Sequence, residues 1–304
     1  MVDAQNQRFR QLMRLPLLPL FTVCLPLLAC AQSPRVTTPT GGNVAAPPVK
    51  VATIPRKPAP AIGAPRAIVV DYVSGRVLYE KNADAKCAVA STQKLMTALC
   101  VWDKGNVQKR FTVAKSDTWV EPTKLGILPG QVYTRRTLLG ALLVRSGNDV
   151  ARALARDNAG SETKFSAVMN AKARKLGMKN SNFLNPHGLT AKGQYSTARD
   201  MSICARAAYA NSTLRGIMNT RAYTFKYSNG RTKRLTNTNK VLTRLKYCNG
   251  MKTGTTRASG RCLISSGELH GRTAIVVVLG ATTSTIWNDS EKLLRWALER
   301  PASQ

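Results

Sequence analysis

The feature that most constrains the fold is the apolar run Ile275–Leu279, which reads I-V-V-V-L. A continuous run of this length, rich in β-branched residues, is typical of a strand that is buried on both faces of a sheet. At 304 residues, with 43% hydrophobic and 20% charged residues, the chain has the composition of a globular protein. It is long enough for one large domain or two small ones.

Strand patterns lie near both ends of the chain, and helical patterns lie between them. The predicted strands lie within 67–79 around a turn at Ser74–Gly75, at 250–256, and at 261–266 and 273–280 around a turn over 267–271. The predicted helices begin near Ser91, Thr134, Asp149, Ser161, Thr197 (with Asp200 as a capping box) and Trp287. We therefore expect one sheet assembled from both ends of the chain, with a helical insertion, in the α/β (α+β) class.

The first 29 residues have the pattern of an export signal. Three arginines precede an apolar run over 15–29 that is too short and too rich in proline for a membrane-spanning helix. The run leads into L-L-A-C, which resembles the lipobox of bacterial lipoproteins, so Cys30 is expected to become the acylated first residue. The alternative is a plain signal peptide cut near Ala29 or Ala31. Both alternatives predict an exported protein of the periplasm or cell envelope, and lipid on Cys30 would anchor it to a membrane.

Residues 30–66 are predicted to form a tether ahead of a folded domain at 67–304. Eight prolines and no acidic residue occur between Ala31 and Arg66, which favours an extended linker that could reach on the order of 100 Å. A disordered leader is the alternative. Of the net charge of +31, +24 lies on the folded domain, which favours an anionic membrane or acidic cell-wall polymers. No nucleic-acid partner is expected of an exported protein that lacks basic blocks with interleaved aromatics.

Five of the seven cysteines follow the tether. An odd number cannot pair completely, and no C-x-x-C motif or histidine cluster indicates a metal site, so no metal or cofactor is expected. Cys100 and Cys204 lie on apolar helical stretches and are predicted to be buried thiols. Cys248 and Cys262 could form a disulfide in an oxidising compartment, and the sequence leaves this open.

The stretch S-T-Q-K at Ser91–Lys94 places a serine and a lysine three residues apart, ahead of an apolar helical stripe. On a helix these positions share a face, so the two side chains can meet as a nucleophile and its base. The same spacing recurs at Ser161–Lys164, where Ser161 is expected to be an ordinary helix N-cap. The spacing alone therefore does not identify a catalytic serine.

Two more motifs follow in order, S-G-N at Ser146–Asn148 and K-T-G at Lys252–Gly254. The ordered set S-x-x-K, S-x-N and K-T-G is typical of penicillin-binding proteins and of β-lactamases. Over about Ala67–Trp296 the chain resembles the serine D-alanyl-D-alanine carboxypeptidase family, the low-molecular-mass penicillin-binding proteins. Further phrases that carry the resemblance lie at 177–178 (G-M), 183–189 (F-L-N-P-H-G-L) and 196–201 (S-T-A-R-D-M). The resemblance implies a β-lactamase/transpeptidase-like fold, with a mainly antiparallel sheet flanked by helices and a helical subdomain.

The resemblance also implies an enzyme that removes the terminal D-Ala from peptidoglycan stem peptides and is inhibited covalently by β-lactam antibiotics. Ser91 would attack the carbonyl of the penultimate D-Ala and form an acyl-enzyme. Lys94 would act as the base, which requires the pKa of its amine to fall from about 10.4 towards about 7 to 8. Burial and the neighbouring charge of Lys252 would both lower that pKa.

Other motif residues are expected to transfer the proton and to stabilise charge. Ser146 would relay a proton from one of the two lysines to the leaving amine. Asn148 would hold the substrate amide or the Lys94 side chain, and a helix cap is the alternative role for Ser146 and Asn148. By the resemblance, the backbone N–H groups of Ser91 and Thr255 form the oxyanion hole.

The K-T-G strand is expected to bind the substrate. Lys252 and Thr253 would receive the terminal carboxylate, with help from either Arg257 or Arg261. Gly254 would let the substrate backbone lie against the strand edge, where a side chain would block it.

Neither histidine of the chain is expected to be catalytic. His187 lies in the N-P-H-G-L phrase and is interpreted as structural rather than as the base of a Ser-His pair. His270 is expected at an exposed hairpin tip.

Three other functions are alternatives. A D,D-endopeptidase would cleave peptidoglycan cross-links with the same residues. Its family members lack the extra C-terminal β domain of many carboxypeptidases, and this chain is expected to lack that domain too. A class A β-lactamase would need a glutamate in an E-x-x-L-N pattern, and this pattern does not occur between Ser146 and Lys252. A non-enzymatic wall-binding lipoprotein would use only the charge and the tether, and the three intact motifs argue against it.

Overall fold

The computed structural model describes residues 58–299. The predicted export signal (1–29), Cys30 and most of the predicted tether (30–66) lie outside the described residues. The strands are β1 (Arg66–Asp71), β2 (Val77–Lys81), β3 (Arg110–Thr112), β4 (Val132–Thr134), β5 (Ala222–Lys226), β6 (Thr232–Thr236), β7 (Cys248–Thr256), β8 (Gly260–Leu269) and β9 (Arg272–Ala281). The helices are α1 (Lys94–Asp103), α2 (Arg135–Val144), α3 (Asn148–Ala159), α4 (Glu162–Leu176), α5 (Ala198–Ala210), α6 (Ser212–Asn219), α7 (Val241–Arg244) and α8 (Ile286–Leu298). Within the described range, no helix combines the length and the apolar character that a membrane span requires.

An antiparallel sheet of five strands, in the order β2-β1-β9-β8-β7, organises the structure. β1 pairs with β9, so that Val69 lies opposite Val276 and the N-terminal strands join the C-terminal ones. The prediction of one sheet assembled from both ends of the chain, with helices inserted between them, is confirmed. β7 forms one edge of this sheet and carries the K-T-G motif.

β9 is the central strand, and both of its faces are covered, as the apolar run predicted. Ile275 and Val277 pack into a large core that includes residues of helices α1 to α5. Val276 and Val278 belong to a second core that contains Leu293 of α8. Because successive side chains of a strand point to opposite faces, one apolar run contributes to both cores.

Two helices begin at the N-cap residues that the sequence predicted, and one capping interaction differs from the prediction. Ser161 caps α4 by accepting the backbone N–H of Lys164 at 3.1 Å, as predicted. Thr197 caps α5 by accepting the backbone N–H of Asp200 at 3.0 Å. The predicted capping box is wrong in its second half, because the Asp200 carboxylate instead accepts the backbone N–H of Asn180 at 2.7 Å. This acid ties the preceding loop to the helix.

The turn between β8 and β9 is shorter than the predicted turn over 267–271. Its tip is His270–Gly271, where both residues have positive φ (49° and 72°), and His270 is exposed, as expected. Gly267, which the sequence placed in the turn, lies inside β8. A Cβ at Gly267 would lie 3.1 Å from the side chains of Leu294 and Leu298. This glycine therefore gives α8 room to pack on the sheet instead of making the turn.

All five cysteines in the described part of the chain are free thiols. Cys100 and Cys204 are buried, as predicted. The disulfide left open between Cys248 and Cys262 is not formed. Cys248 begins β7, whereas Cys262 lies near the start of β8, and in an antiparallel pair these positions lie at opposite ends.

Candidate active site

Ser91 and Lys94 meet where a 3₁₀ turn leads into helix α1. Ser91 lies in the turn Ala90–Gln93, and Lys94 is the first residue of α1. Residues three apart eclipse one another in 3₁₀ geometry, and Lys94 Nζ lies 2.9 Å from Ser91 Oγ. The sequence predicted a helix start for this pair, and the 3₁₀ turn brings the two side chains together even more directly than an α-helix would.

The Lys94 amine is buried among neutral acceptors. The residue has no exposed surface. Besides its contact with Ser91, Nζ donates to Asn148 Oδ1 at 2.7 Å and to the backbone carbonyl oxygen of His187 at 2.6 Å. None of these partners is negatively charged, so no direct contact compensates for the burial of an ammonium group.

Burial lowers the pKa of the Lys94 amine well below its ordinary value, and the charge of Lys252 lowers it further, against the opposing effect of Asp149. Burial also lowers the pKa of Lys252 to about 7. Both amines therefore lose a proton more readily than an ordinary lysine does, and Lys252 does so near neutral pH. Neighbouring groups with such perturbed pKa values are typical of sites of proton transfer.

The S-G-N segment joins helices α2 and α3. Ser146 has a φ of 72°, in the left-handed region that residues other than glycine adopt uncommonly. Gly147 is the N-cap of α3, and no side chain caps this helix. Asn148 Nδ2 donates to the carbonyl oxygen of Pro122 at 2.6 Å, which turns Oδ1 towards Lys94. The structure thus shows Asn148 holding the lysine, and it does not show the alternative role of a helix cap.

Gly254 allows β7 to lie against the turn that carries Ser91. A Cβ at Gly254 would lie 2.7 Å from the backbone nitrogen of Ser91 and 2.9 Å from that of Thr92. Real Cβ atoms are not found so close to other heavy atoms, so any other residue would push the strand away from the turn. The sequence explained Gly254 by the approach of substrate, and the structure adds the approach of the nucleophile's own backbone.

Lys252 and Thr253 point to opposite sides of β7, as successive residues of a strand do. Lys252 is buried, and its Nζ donates to the backbone carbonyl oxygen of Thr253 at 2.9 Å. The Thr253 side chain lines the cleft, with Oγ1 at 2.6 Å from Oγ1 of Thr238. The lysine is therefore buried inside the protein, whereas the threonine faces the cleft.

The backbone carbonyl of His187 belongs to the site, which sequence reasoning missed. The His187 side chain is buried, with Nε2 at 3.5 Å from Oε2 of Glu162, so it occupies a structural position. Its carbonyl oxygen accepts hydrogen bonds from Lys94 Nζ at 2.6 Å and from Ser91 Oγ at 3.2 Å. A peptide carbonyl leaves no mark on a sequence, and the N-P-H-G-L phrase was the only signal available.

Asp149 is a second residue that sequence reasoning missed. Its carboxylate accepts the backbone N–H groups of Leu125 at 2.9 Å and of Gly126 at 2.8 Å. It thereby holds the loop that offers the Pro122 carbonyl to Asn148. In the sequence, an acid directly after S-G-N looks like an ordinary first-turn residue of a helix.

An open cleft with a volume of about 650 Å³ lies over Ser91. The motif residues that line it are Ser91, Ser146, Thr253, Gly254 and Thr255. Of the two arginines considered for the substrate carboxylate, Arg261 lines this cleft, with Nη1 at 3.3 Å from Oγ1 of Thr255. Arg257 is exposed and lies outside the lining. The structure therefore favours Arg261.

Comparisons with known proteins agree with this geometry. The peptidase S11 family model, described as D-alanyl-D-alanine carboxypeptidase, matches residues 52–283. The D-alanyl-D-alanine carboxypeptidase DacC of Escherichia coli K12 is 38% identical over 78% of this chain and 62% of its own length. A D-alanyl-D-alanine endopeptidase of Pseudomonas aeruginosa is 33% identical over 76% of each chain. The crystal structure of a D-alanyl-D-alanine carboxypeptidase from Mycobacterium tuberculosis H37Rv has a TM-score of 0.77 and 31% identity, and the match covers 82% of this chain and 96% of that one.

The chain thus spans less than two thirds of the length of the Escherichia coli relative. The matches confirm the resemblance that the three motifs predicted, and with it the β-lactamase/transpeptidase-like fold. The chain belongs to the peptidase S11 family of serine D-alanyl-D-alanine carboxypeptidases.

Proposed function

We propose that this protein is a serine D-alanyl-D-alanine carboxypeptidase that removes the terminal D-Ala from peptidoglycan stem peptides through an acyl-enzyme on Ser91. The observation that carries the proposal is the buried Lys94 amine, 2.9 Å from Ser91 Oγ and with a lowered pKa. A serine hydroxyl is a weak nucleophile until a neighbouring base takes its proton. A neutral Lys94 supplies that base.

In the proposed acylation, Ser91 Oγ attacks the carbonyl of the penultimate D-Ala while its proton passes to Lys94 Nζ. The oxygen atoms of Asn148 and His187, at 2.7 and 2.6 Å from Nζ, hold the ammonium group that forms. Negative charge develops on the substrate oxygen, where the backbone N–H groups of Ser91 and Thr255 would donate. The close contact between β7 and the nucleophile turn supports this pairing of donors.

The leaving amine needs a proton when its bond to the carbonyl carbon breaks. Ser146 lines the cleft and would pass on that proton from Lys94 or Lys252. The pKa of Lys252, about 7, suits such an exchange near neutral pH. Thr253 and Arg261, which line the cleft, would bind the terminal carboxylate of the substrate, and the charge of the buried Lys252 would support them. Water then hydrolyses the ester and releases the shortened peptide.

Covalent labelling with a fluorescent penicillin tests this function. We expect the label on Ser91, because a β-lactam acylates the same hydroxyl as the substrate does. Ser91→Ala should abolish labelling. Ser161→Ala is the matched control from the second S-x-x-K match and should label like the wild type. Equal labelling of the wild type and Ser91→Ala, or no labelling of either, would show that the acyl-enzyme proposal is wrong.

A D,D-endopeptidase is the second candidate function. The open cleft and the similarity to an endopeptidase favour it, and the reaction would use the same acyl-enzyme. Release of D-Ala from a pentapeptide and cleavage of cross-linked muropeptide dimers, both followed by chromatography, separate the two. Cleavage of dimers without release of D-Ala would replace carboxypeptidase by endopeptidase.

We propose that residues 1–29 are an export signal, that Cys30 carries lipid, and that the tether over 30–66 links the anchor to the peptidase domain at 67–304. The apolar run before L-L-A-C and the eight prolines of the tether support this organisation. Mass spectrometry of the mature N-terminus tests it, with Cys30→Ala as the unlipidated control. An unmodified start one or two residues after Cys30 would exclude the lipid anchor.

A further inference from the structure

The cleft over Ser91 is lined by several cationic side chains. Its lining includes Arg145, Arg221, Lys240 and Arg261, and none of the described residues that line it is Asp or Glu. A cleft whose walls carry charge of one sign concentrates ligands of the opposite sign. The cleft therefore favours a ligand with several negative charges.

Arg145 and Arg221 differ from the other two cations in having no partner. Lys240 lies 5.7 Å from the centre of an indole ring, and Arg261 lies 3.3 Å from a threonine hydroxyl. Across residues 58–299, the guanidinium groups of Arg145 and Arg221 have neither a hydrogen-bond nor an ion-pair partner, and both residues are exposed. By contrast, Arg135 is buried and pairs with an aspartate at 2.5 Å. The two cleft arginines are thus available to a ligand.

Both arginines are close in the chain or by a backbone hydrogen bond to residues that the proposed mechanism assigns to the leaving group. Arg145 directly precedes Ser146, which would pass the proton to the leaving amine. The backbone carbonyl of Arg221 accepts the N–H of the residue before Thr238 at 2.8 Å. Thr238 in turn contacts the side chain of Thr253, which would bind the carboxylate of the leaving residue.

A single D-Ala cannot use these two charges. It carries one carboxylate, which Thr253 and Arg261 would bind. The cleft volume of about 650 Å³ lies in the range of pockets that hold ligands much larger than one amino acid. Arginine binds carboxylates through paired, charge-assisted hydrogen bonds, so two free guanidinium groups in this space suit a second carboxylate.

We propose that Arg145 and Arg221 form a second carboxylate subsite, through which the enzyme also accepts a cross-linked stem peptide whose leaving half carries a further free carboxylate. The inference rests on the proposed acyl-enzyme. The peptide bond after the D-Ala breaks, and an ester to Ser91 forms. The leaving amine takes the proton of Ser91 by way of Lys94 and Ser146, and water then hydrolyses the ester.

The test uses two cross-linked muropeptide dimers. They differ only in whether the further carboxylate of the leaving peptide, which the subsite would bind, is free or amidated. The value of kcat/KM for each dimer is measured by chromatography for the full chain and for Arg145→Gln, Arg221→Gln and Arg257→Gln. Arg257 is the matched control, because it is exposed and lies outside the cleft lining. We expect the wild type to prefer the free dimer by about tenfold, the effect of one partly exposed charge-assisted contact. Each of the first two variants should reduce that preference, and Arg257→Gln should retain it.

The ratio between the two dimers cancels any loss of folded enzyme, which affects both substrates equally. An absent preference in the wild type, or a preference that both arginine variants retain, would overturn the subsite. Release of D-Ala from a pentapeptide without cleavage of either dimer would overturn it as well, while the proposed carboxypeptidase would stand. Absence of penicillin labelling at Ser91 would instead overturn the acyl-enzyme and the subsite together.

Discussion

Two segments of this chain share the spacing S-x-x-K and occupy opposite environments. At Ser91–Lys94 the lysine is fully buried and its amine contacts the serine hydroxyl at 2.9 Å. At Ser161–Lys164 the serine hydroxyl accepts the backbone N–H of the lysine at 3.1 Å, and the Lys164 side chain is exposed. The spacing brings serine and lysine to one side of a turn, but burial decides whether the lysine can lose its proton.

The neighbours of the two serines explain the difference. The turn of Ser91 lies against β7 at Gly254 and receives the His187 carbonyl from a distant loop. Ser161 stands at the exposed end of α4, where its hydroxyl is used as a cap. The same two residue types therefore make a reactive pair only where distant parts of the chain enclose them.

The largest expected effect comes from replacing Lys94, the lysine of the buried segment. Lys94→Met should slow acylation by a fluorescent penicillin by about 10²- to 10⁴-fold, because a general base typically contributes that much. Methionine fills a buried site of similar length without burying a charge. Lys164→Met, the matched variant in the exposed segment Ser161–Lys164, should be acylated at the wild-type rate. Equal rates for the two variants would remove the distinction between the segments.

A methyl group at Gly254 tests the contact that encloses Ser91. We expect Gly254→Ala to slow penicillin acylation on the order of 10²-fold, because displacement of a reacting group by about 1 Å has such an effect. Gly216→Ala is the control, since a Cβ at Gly216 in helix α6 would meet no atom within 4 Å. That variant should be more stable by about 0.5–1 kcal/mol and label normally. Wild-type labelling of Gly254→Ala would show that the contact is dispensable.

The pH dependence of acylation tests the charge of Lys252. The rate should rise with pH as Lys94 loses its proton, and the charge of Lys252 lowers the pKa of Lys94. Lys252→Met should therefore move the rising limb of the pH–rate profile to higher pH, whatever its effect on the maximal rate. Lys164→Met should leave the limb in place. A limb that stays in place in Lys252→Met would argue against coupling between the two amines.

The stability of the protein should also depend on Lys252. Burial lowers its pKa from 10.5 to about 7, so between these values the unfolded chain holds a proton that the folded chain does not. The free energy of unfolding should therefore rise as pH increases through this window, by at most about 1.4 kcal/mol per pH unit. Lys252→Met should show a smaller slope in urea unfolding across the same window. An unchanged slope would indicate that Lys252 stays charged in the fold.

The smallest effect is expected at the second serine. Ser161→Ala removes the N-cap of α4 and should lower the free energy of unfolding by about 1 kcal/mol. Labelling of Ser91 should not change. Urea unfolding and penicillin labelling of the same preparation measure both quantities, and a loss of labelling would contradict a purely structural role for Ser161.

Much of the fold could be predicted, because strand burial and helix caps are local properties. The run Ile275–Leu279 indicated a strand covered on both faces, and Ser161 indicated a helix start. The turn before β9 was predicted to begin at Gly267, which lies inside β8, because a glycine needed for the packing of α8 looks the same in sequence as a glycine needed for a turn. The carboxylate of Asp200 was assigned to its own helix, although it binds the loop before it.

The candidate site could be predicted in part. The ordered motifs named Ser91 and Lys94, but the choice between Arg257 and Arg261 depended on whether the turn after β7 or the start of β8 lines the cleft. The carbonyl of His187 and the carboxylate of Asp149 act through folded geometry, and neither has a signature in the motifs.

By itself, the sequence determined the family and the residue types of the site, because three short motifs in a set order occur together only for a shared chemistry. Only the tertiary structure decided which atoms surround the amine of Lys94. The pKa of an amine depends on the water and charges around it, and around Lys94 these are set by Asn148, His187 and Lys252. Those residues are far away in the chain and meet only in the fold.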